Sequence, residues 1–118
     1  KNFIPLSYKC GRTLKEKNME TYVVTFTITT PFEEWAKAYD SSIDSQKEAG
    51  ITSIYRGFLK DEPTQICSIM QAEAGRLDAF MAENAEMVAA SGHVLESTVI
   101  STYKAWASYI LLINTYGL

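Results

Sequence analysis

Residues Thr21 to Thr29 read Thr-Tyr-Val-Val-Thr-Phe-Thr-Ile-Thr, with strongly apolar side chains at every second position. Successive side chains on a strand point to opposite faces, so Tyr22, Val24, Phe26 and Ile28 share one face and Val23, Thr25, Thr27 and Thr29 the other. β-Branched and aromatic residues dominate, which suits a pleated sheet. The period then changes. Phe32, Trp35, Tyr39 and Ile43 recur at helical spacing. The joint between the two patterns carries helix-start chemistry. Thr30 is the expected N-cap, Pro31 falls where its missing N–H costs nothing, and Glu33 completes a capping box. Glu33 and Glu34 also suit the positive end of the helix dipole. Gly50 fits the left-handed position after a helix end. The pattern predicts one helix from about Pro31 to about Ala49.

Two more strand patterns follow, Ile51 to Lys60 and Thr64 to Ala72, with Asp61-Glu62-Pro63 as the turn of a hairpin. Pro63 is expected to stop the hairpin from extending inward there. Ala72 to Ala90 reads as a second helix whose buried stripe is Leu77, Phe80, Met81, Ala85, Met87 and Val88, ended by Ser91-Gly92. Val94 to Tyr103 reads as a fourth strand. The order strand, helix, strand, strand, helix, strand is that of an α+β, ferredoxin-like βαββαβ fold. It places two helices on one face of a four-stranded antiparallel sheet.

The strands have no clean polar side. Val23 interrupts the threonine face of the first strand. Ile66 and Met70 face opposite to Cys67 and Ile69, and Val99 and Tyr103 opposite to Ile100. Helices on one face leave the other apolar face open, and a twofold homodimer, sheet against sheet, is the economical way to cover it.

Composition narrows the classes. The chain has 118 residues, 47% hydrophobic and 21% charged, which fits one globular domain. The net charge of −3 and the scattered Lys and Arg residues argue against a nucleic-acid binder. Lys1 to Asn18 has no apolar run of signal-peptide length. The strand pattern starts at Met19, the expected natural start, so residues 1–18 read as upstream sequence or a poorly ordered arm. Residues 19–104 form the domain. In the tail, 105–118, Trp106, Tyr109, Ile110 and Ile113 recur at helical spacing. The tail is too short to cross a bilayer and is expected to dock on the domain or across the dimer. Cys10 and Cys67 read as free thiols of a reducing, cytoplasmic setting. Neither has a second Cys or a His at zinc-ligand spacing, so no metal and no cofactor is implied.

Several stretches together resemble a known group. They are Thr25-Phe26 with Pro31-Phe32-Glu33-Glu34-Trp35, Gly50-Ile51-Thr52-Ser53-Ile54-Tyr55-Arg56-Gly57, Gln71-Ala72-Glu73, and Ser91-Gly92-His93-Val94-Leu95-Glu96-Ser97-Thr98. Over about Met19 to Lys104 the chain resembles the dimeric α+β barrel group of ferredoxin-like proteins. More narrowly, it is similar to a family of small proteins from marine microbes, mainly cyanobacteria, to which no activity is assigned. The wider group includes monooxygenases without cofactors, haem-handling enzymes, isomerases and stress proteins, and fold alone does not choose among them.

The candidate chemistry is sparse. His93 is the only histidine. With Glu96 near it, a base and an orienting carboxylate are imaginable, against the simpler role of a loop histidine bonded to backbone. It is also the only histidine available to ligate haem, and nothing else supports haem. Arg56, between Tyr55 and Gly57, suits a carboxylate ligand if aimed into a barrel, or an edge charge that discourages aggregation. Trp35 and Tyr39 share a helix face with Phe32 and Ile43, either as a pocket wall or as core. Met70, Met81 and Met87 read as core filler. Thr25, Thr27 and Thr29 offer hydroxyls to a cavity or simply form a good strand. No Gly-x-Ser-x-Gly elbow and no glycine-rich phosphate loop is present. Two functions follow. One is a non-catalytic homodimer, either stress-related or binding a small apolar or aromatic molecule, with His93, Arg56, Tyr55, Trp35 and Glu96 as candidate contacts. The other is a cofactor-independent enzyme, monooxygenase- or isomerase-like, in which His93 and Arg56 open into one pocket.

Overall fold

The structure, a computed structural model, describes residues 19–104. The expectations for the leader, for Cys10 and for the tail lie outside the described residues. The first strand, β1 (Met19–Thr27), leads into α1 (Phe32–Ser41) and a short α2 (Ile43–Glu48). The hairpin β2 (Thr52–Leu59) and β3 (Glu62–Glu73) follows. Then come α3 (Arg76–Glu83), α4 (Ala85–Ala90), a 3₁₀ turn at Leu95–Ser97 and β4 (Val99–Lys104). The sheet order is β2-β3-β1-β4, with all three neighbouring pairs antiparallel. This is the ferredoxin-like arrangement.

The alternation in β1 is realised. Tyr22, Val24, Phe26 and Ile28 are buried together with Ile66, Met70 and Ala72 of β3. Trp35 and Ala36 of α1 and Leu77 and Phe80 of α3 pack on them in one cluster, so both helical layers lie on one face. No described helix is long and apolar enough to cross a membrane.

The structure corrects several local expectations. Thr30 does not cap the first helix. Pro31 occupies the cap position in extended conformation, and no side-chain bond caps the helix. The Pro31 carbonyl accepts the first helical bonds, from Glu34 N–H at 3.1 Å and Trp35 N–H at 3.2 Å. The Thr30 hydroxyl instead reaches across to the Ser91 carbonyl at 3.5 Å. It packs against Gly92, whose φ of 102° and want of room for a Cβ beside Thr30 both require glycine.

The first helix is not continuous to Ala49. Ser41 and Ser42 turn their hydroxyls back onto the Ala38 and Tyr39 carbonyls, at 2.7 and 2.6 Å. Such bonds compete with the helix ladder and bend it. Helix α2 then ends as expected at Gly50. Its N–H bonds Lys47 O at 2.9 Å and the Ile51 N–H bonds Gln46 O at 2.8 Å, a full Schellman closure.

The second helix starts at Arg76 rather than Ala72, because Ala72 and Glu73 still pair with Glu20 and Met19 of β1. It breaks at Asn84, whose side-chain amide bonds the Phe80 carbonyl at 2.8 Å. Only Leu77 and Phe80 of its expected stripe are buried; α4 buries no residue, and Met87 is exposed rather than core. Finally, β4 begins at Val99, not Val94. The Ser97 hydroxyl accepts the Thr27 N–H at 2.8 Å and donates to the Val94 carbonyl at 2.6 Å, which stands in for the ladder and holds a 3₁₀ turn. In the hairpin, Pro63 lies within β3, in the irregular stretch between the Phe58–Ile66 and Leu59–Glu62 pairs. A missing N–H removes no regular ladder bond there.

Candidate functional site

Between the sheet and the two helical layers lies a cavity of about 300 Å³. Val24, Phe26, Ser68 and Met70 of the sheet line it, with Trp35, Tyr39 and Gln46 on one side and Leu77 and Phe80 on the other. Met87 and Val88 of α4, the helix that buries nothing, also line it. Its volume is at the low end for ligand sites. No Lys, Arg, Asp or Glu is among its lining residues.

The aromatic side is ordered. Trp35 stacks on Tyr39 with ring centres 5.0 Å apart, and Phe26 packs tilted against Trp35 at 5.5 Å. The Tyr39 hydroxyl bonds Ser53 at 2.7 Å, and burial raises its pKa above the ordinary tyrosine value.

His93 closes one end. Backbone bonds on either side hold it in line with β1: Thr29 N–H to Gly92 O and Val94 N–H to Thr27 O, both 2.9 Å, around an Ile28–His93 bridge. Its ring stacks on Phe26 at 3.7 Å and 4°. Its Nε2 shares a 2.6 Å hydrogen bond with the Thr98 hydroxyl, the tautomer deciding which donates. Burial pushes the imidazole down from 6.5 to about 4, so it is neutral at neutral pH.

Of the residues singled out from sequence, His93 and Trp35 line the cavity, and Arg56, Tyr55 and Glu96 do not. Arg56 forms a two-pronged bond with Asp40 of α1, at 2.8 and 2.7 Å, with its guanidinium 5.9 Å from the Phe32 ring centre. The Arg56 hydrogen bond lowers the Asp40 carboxyl pKa, and the same bond raises that of Arg56. Tyr55 lies on the open face of the sheet, folded over Gly57, whose lack of a Cβ leaves room for its hydroxyl. Glu96 is exposed in the 3₁₀ turn, and the partner of His93 is Thr98 instead. His93 and Arg56 therefore do not open into one pocket.

Two polar residues of the cavity escaped sequence reasoning. Ser68 is fully buried, and its hydroxyl has no partner among the described residues. Gln46 is 3% exposed; its amide nitrogen bonds the Ser42 hydroxyl at 2.9 Å, while its Oε1 has no partner there. Both were signalled. Ser68 stands in phase with Ile66, Met70 and Ala72, and Gln46 stands three residues past Ile43 on the aromatic stripe. A polar side chain at a core phase needs a partner. Among the described residues, no three His, Cys, Asp or Glu side chains gather where a metal ion would sit.

Solved structures share this architecture. A candidate antibiotic biosynthesis monooxygenase from Nitrosomonas europaea matches with a TM-score of 0.57 at 15% identity, over 77% of this chain and 93% of that one. Another from Bordetella bronchiseptica matches with a TM-score of 0.59 at 10% identity, over 75% and 98%. SnoaB, a cofactor-independent oxygenase from Streptomyces nogalater, matches with a TM-score of 0.52 at 11% identity, over 75% and 94%. At these identities the likeness is one of fold. Among curated proteins, none matches the chain. A family model does match, over residues 19–105 and hence the whole of the sheet, helices and cavity just described, and the chain belongs to that family, a domain of unknown function (DUF3764).

Proposed function

We propose that the protein is a non-catalytic, cytoplasmic homodimer that holds a small, largely apolar molecule in the cavity between sheet and helices. The observation that carries this reading is the cavity itself: lined by aromatic, aliphatic and methionine side chains, uncharged, and furnished with a few polar atoms. That is the usual make-up of a small-molecule site. The apolar residues on the open sheet face support the dimer, and the free thiol of Cys67 fits the compartment. Native mass spectrometry of protein purified from cells tests the reading. A retained small molecule, lost on Trp35→Ala, is the expected result. A clean polypeptide mass, together with unchanged melting on addition of apolar aromatic probes, overturns it.

A second reading has one observation in its favour. His93 stands at the cavity wall, where an imidazole can take a proton from a bound substrate, although burial makes it a weaker base than a free histidine. SnoaB, of the same fold, is a cofactor-independent oxygenase. On this reading, which rests on His93 without Arg56, oxygen uptake with a phenolic probe appears in the natural protein and vanishes in His93→Phe. Absence of uptake with a probe shown to bind leaves the binding role.

A further inference from the structure

We infer that the cavity selects an uncharged ligand carrying a hydrogen-bond donor, an alcohol, phenol or amide N–H, which it seats on the Oε1 of Gln46. The inference rests on the binding role proposed above and names the class of molecule bound. The hydrogen-bond chain around Gln46 fixes which end of its amide is left unpaired. Ser42 has a single hydroxyl proton, and it goes to the Tyr39 carbonyl at 2.6 Å. The Ser42 oxygen is then left to accept, so the Gln46 group 2.9 Å away from it must be the NH₂ end of the amide. The donor and acceptor chemistry alone therefore fixes the amide orientation. Its other end, Oε1, is an acceptor only and is buried; the Tyr39 hydroxyl lies near the Gln46 side chain but bonds Ser53, and no described donor is within hydrogen-bond distance of Oε1.

A buried acceptor left unmade is costly, and a ligand donor relieves that cost. Ser68 is the second such atom, on the sheet floor of the same cavity. Its hydroxyl both gives and takes, so it adds a polar contact without specifying its sense. The same lining excludes charge. None of the lining side chains carries one, and a carboxylate or ammonium buried there would have no counter-ion.

Three probes of one shape read this out: 2-naphthol, which carries a donor, 2-methoxynaphthalene, which does not, and 2-naphthoate, which is charged. Their affinities are measured by calorimetry on the full chain, on Gln46→Met and on Ser68→Ala. The expected order in the natural chain is naphthol tightest by at least about tenfold over the methoxy compound, with naphthoate not bound. Gln46→Met keeps the length of the side chain and is expected to bring naphthol and methoxynaphthalene within about twofold of one another, because the acceptor is gone. Ser68→Ala, which deletes a buried orphan hydroxyl and should fold at least as well, keeps most of the preference. Binding without preference for the donor, tight binding of naphthoate, or a preference that survives Gln46→Met overturns the inference while the cavity stays a ligand site. A preference lost only in Ser68→Ala overturns the assignment to Gln46. If none of the three probes binds, the binding role itself falls, and the inference with it.

Discussion

The two faces of the sheet are built from the same strands and behave differently. Under the helices, Tyr22, Val24 and Phe26 are 6%, 3% and 6% exposed. On the other face, Tyr55, Val99 and Tyr103 are 50%, 59% and 58% exposed, although they are as apolar. One face closes on itself and leaves a cavity; the other stays open in the single chain. The difference shows that hydrophobic alternation assigns side chains to faces but not faces to partners. Helix-side residues are therefore expected to govern folding and ligand binding, and open-face residues to govern association.

The largest expected effect lies on the helix side. Trp35 is 2% exposed and packs against Phe26, Phe32 and Tyr39. Trp35→Ala should cost about 3–5 kcal/mol of unfolding free energy, as large core truncations do. Chemical denaturation measures it, and a loss under ~1 kcal/mol would mean that the aromatic wall is not part of the core.

The second effect is the pH response of His93. Its folded pKa, about 4, lies below the ordinary 6.5, so between those values the unfolded chain binds more protons. Stability is then complete above about pH 6.5 and is lost as pH falls toward 4, by at most ~3 kcal/mol. As the only histidine in the sequence, it can be titrated without ambiguity by NMR. An imidazole that titrates near 6.5, or an equal acid slope in His93→Phe, would remove it from the buried face.

How much of this contrast was legible in the sequence can be judged residue by residue. The β1 alternation named the buried face correctly, because period two is set by backbone geometry alone. The strand order followed from the element order. The helix breaks at Ser42 and Asn84 did not, because they depend on which side chains find a carbonyl to bond. Thr30 illustrates the same limit: the capping-box letters are present, yet its hydroxyl serves a contact with Ser91, 61 residues away. The site was half legible. His93 and Trp35 stand where composition drew attention, whereas Ser68 and Gln46 were hidden by reading phase without asking which polar residues fell in it. Arg56 and Tyr55 are sequence neighbours that the same alternation sends to opposite faces, but nothing in the strand pattern showed that Arg56 would be taken up by Asp40 of α1.

The third prediction tests the open face. Val99→Lys places a charge at a position that is 59% exposed in the single chain, so the fold should stay within ~0.5 kcal/mol. The proposed dimer should dissociate at least about tenfold more readily, as a desolvated like-charge pair across the twofold axis requires. Sedimentation at micromolar concentration checks both chains. A natural protein that is monomeric there, or a variant with unchanged association, removes the open face from the dimer.

The smallest effect is expected at Arg56, on the helix side of the sheet but outside the cavity. Its pair with Asp40 has good two-pronged geometry, yet both side chains are substantially exposed, at 33% and 52%. Water and salt screen such pairs, and exposed ones are generally worth about 0.2–1 kcal/mol. The contact with the Phe32 face adds little at an exposed site. Arg56→Ala should therefore lower stability by less than about 1 kcal/mol, and by less still at high salt. Because Arg56 does not line the cavity, the variant should bind apolar aromatic probes as the natural chain does. The two readouts separate a surface strut from a ligand contact: a salt-sensitive loss of stability with unchanged affinity is the strut. A tenfold loss of probe affinity would instead bring the arginine back into the site and restore the pairing with His93 that the geometry keeps apart.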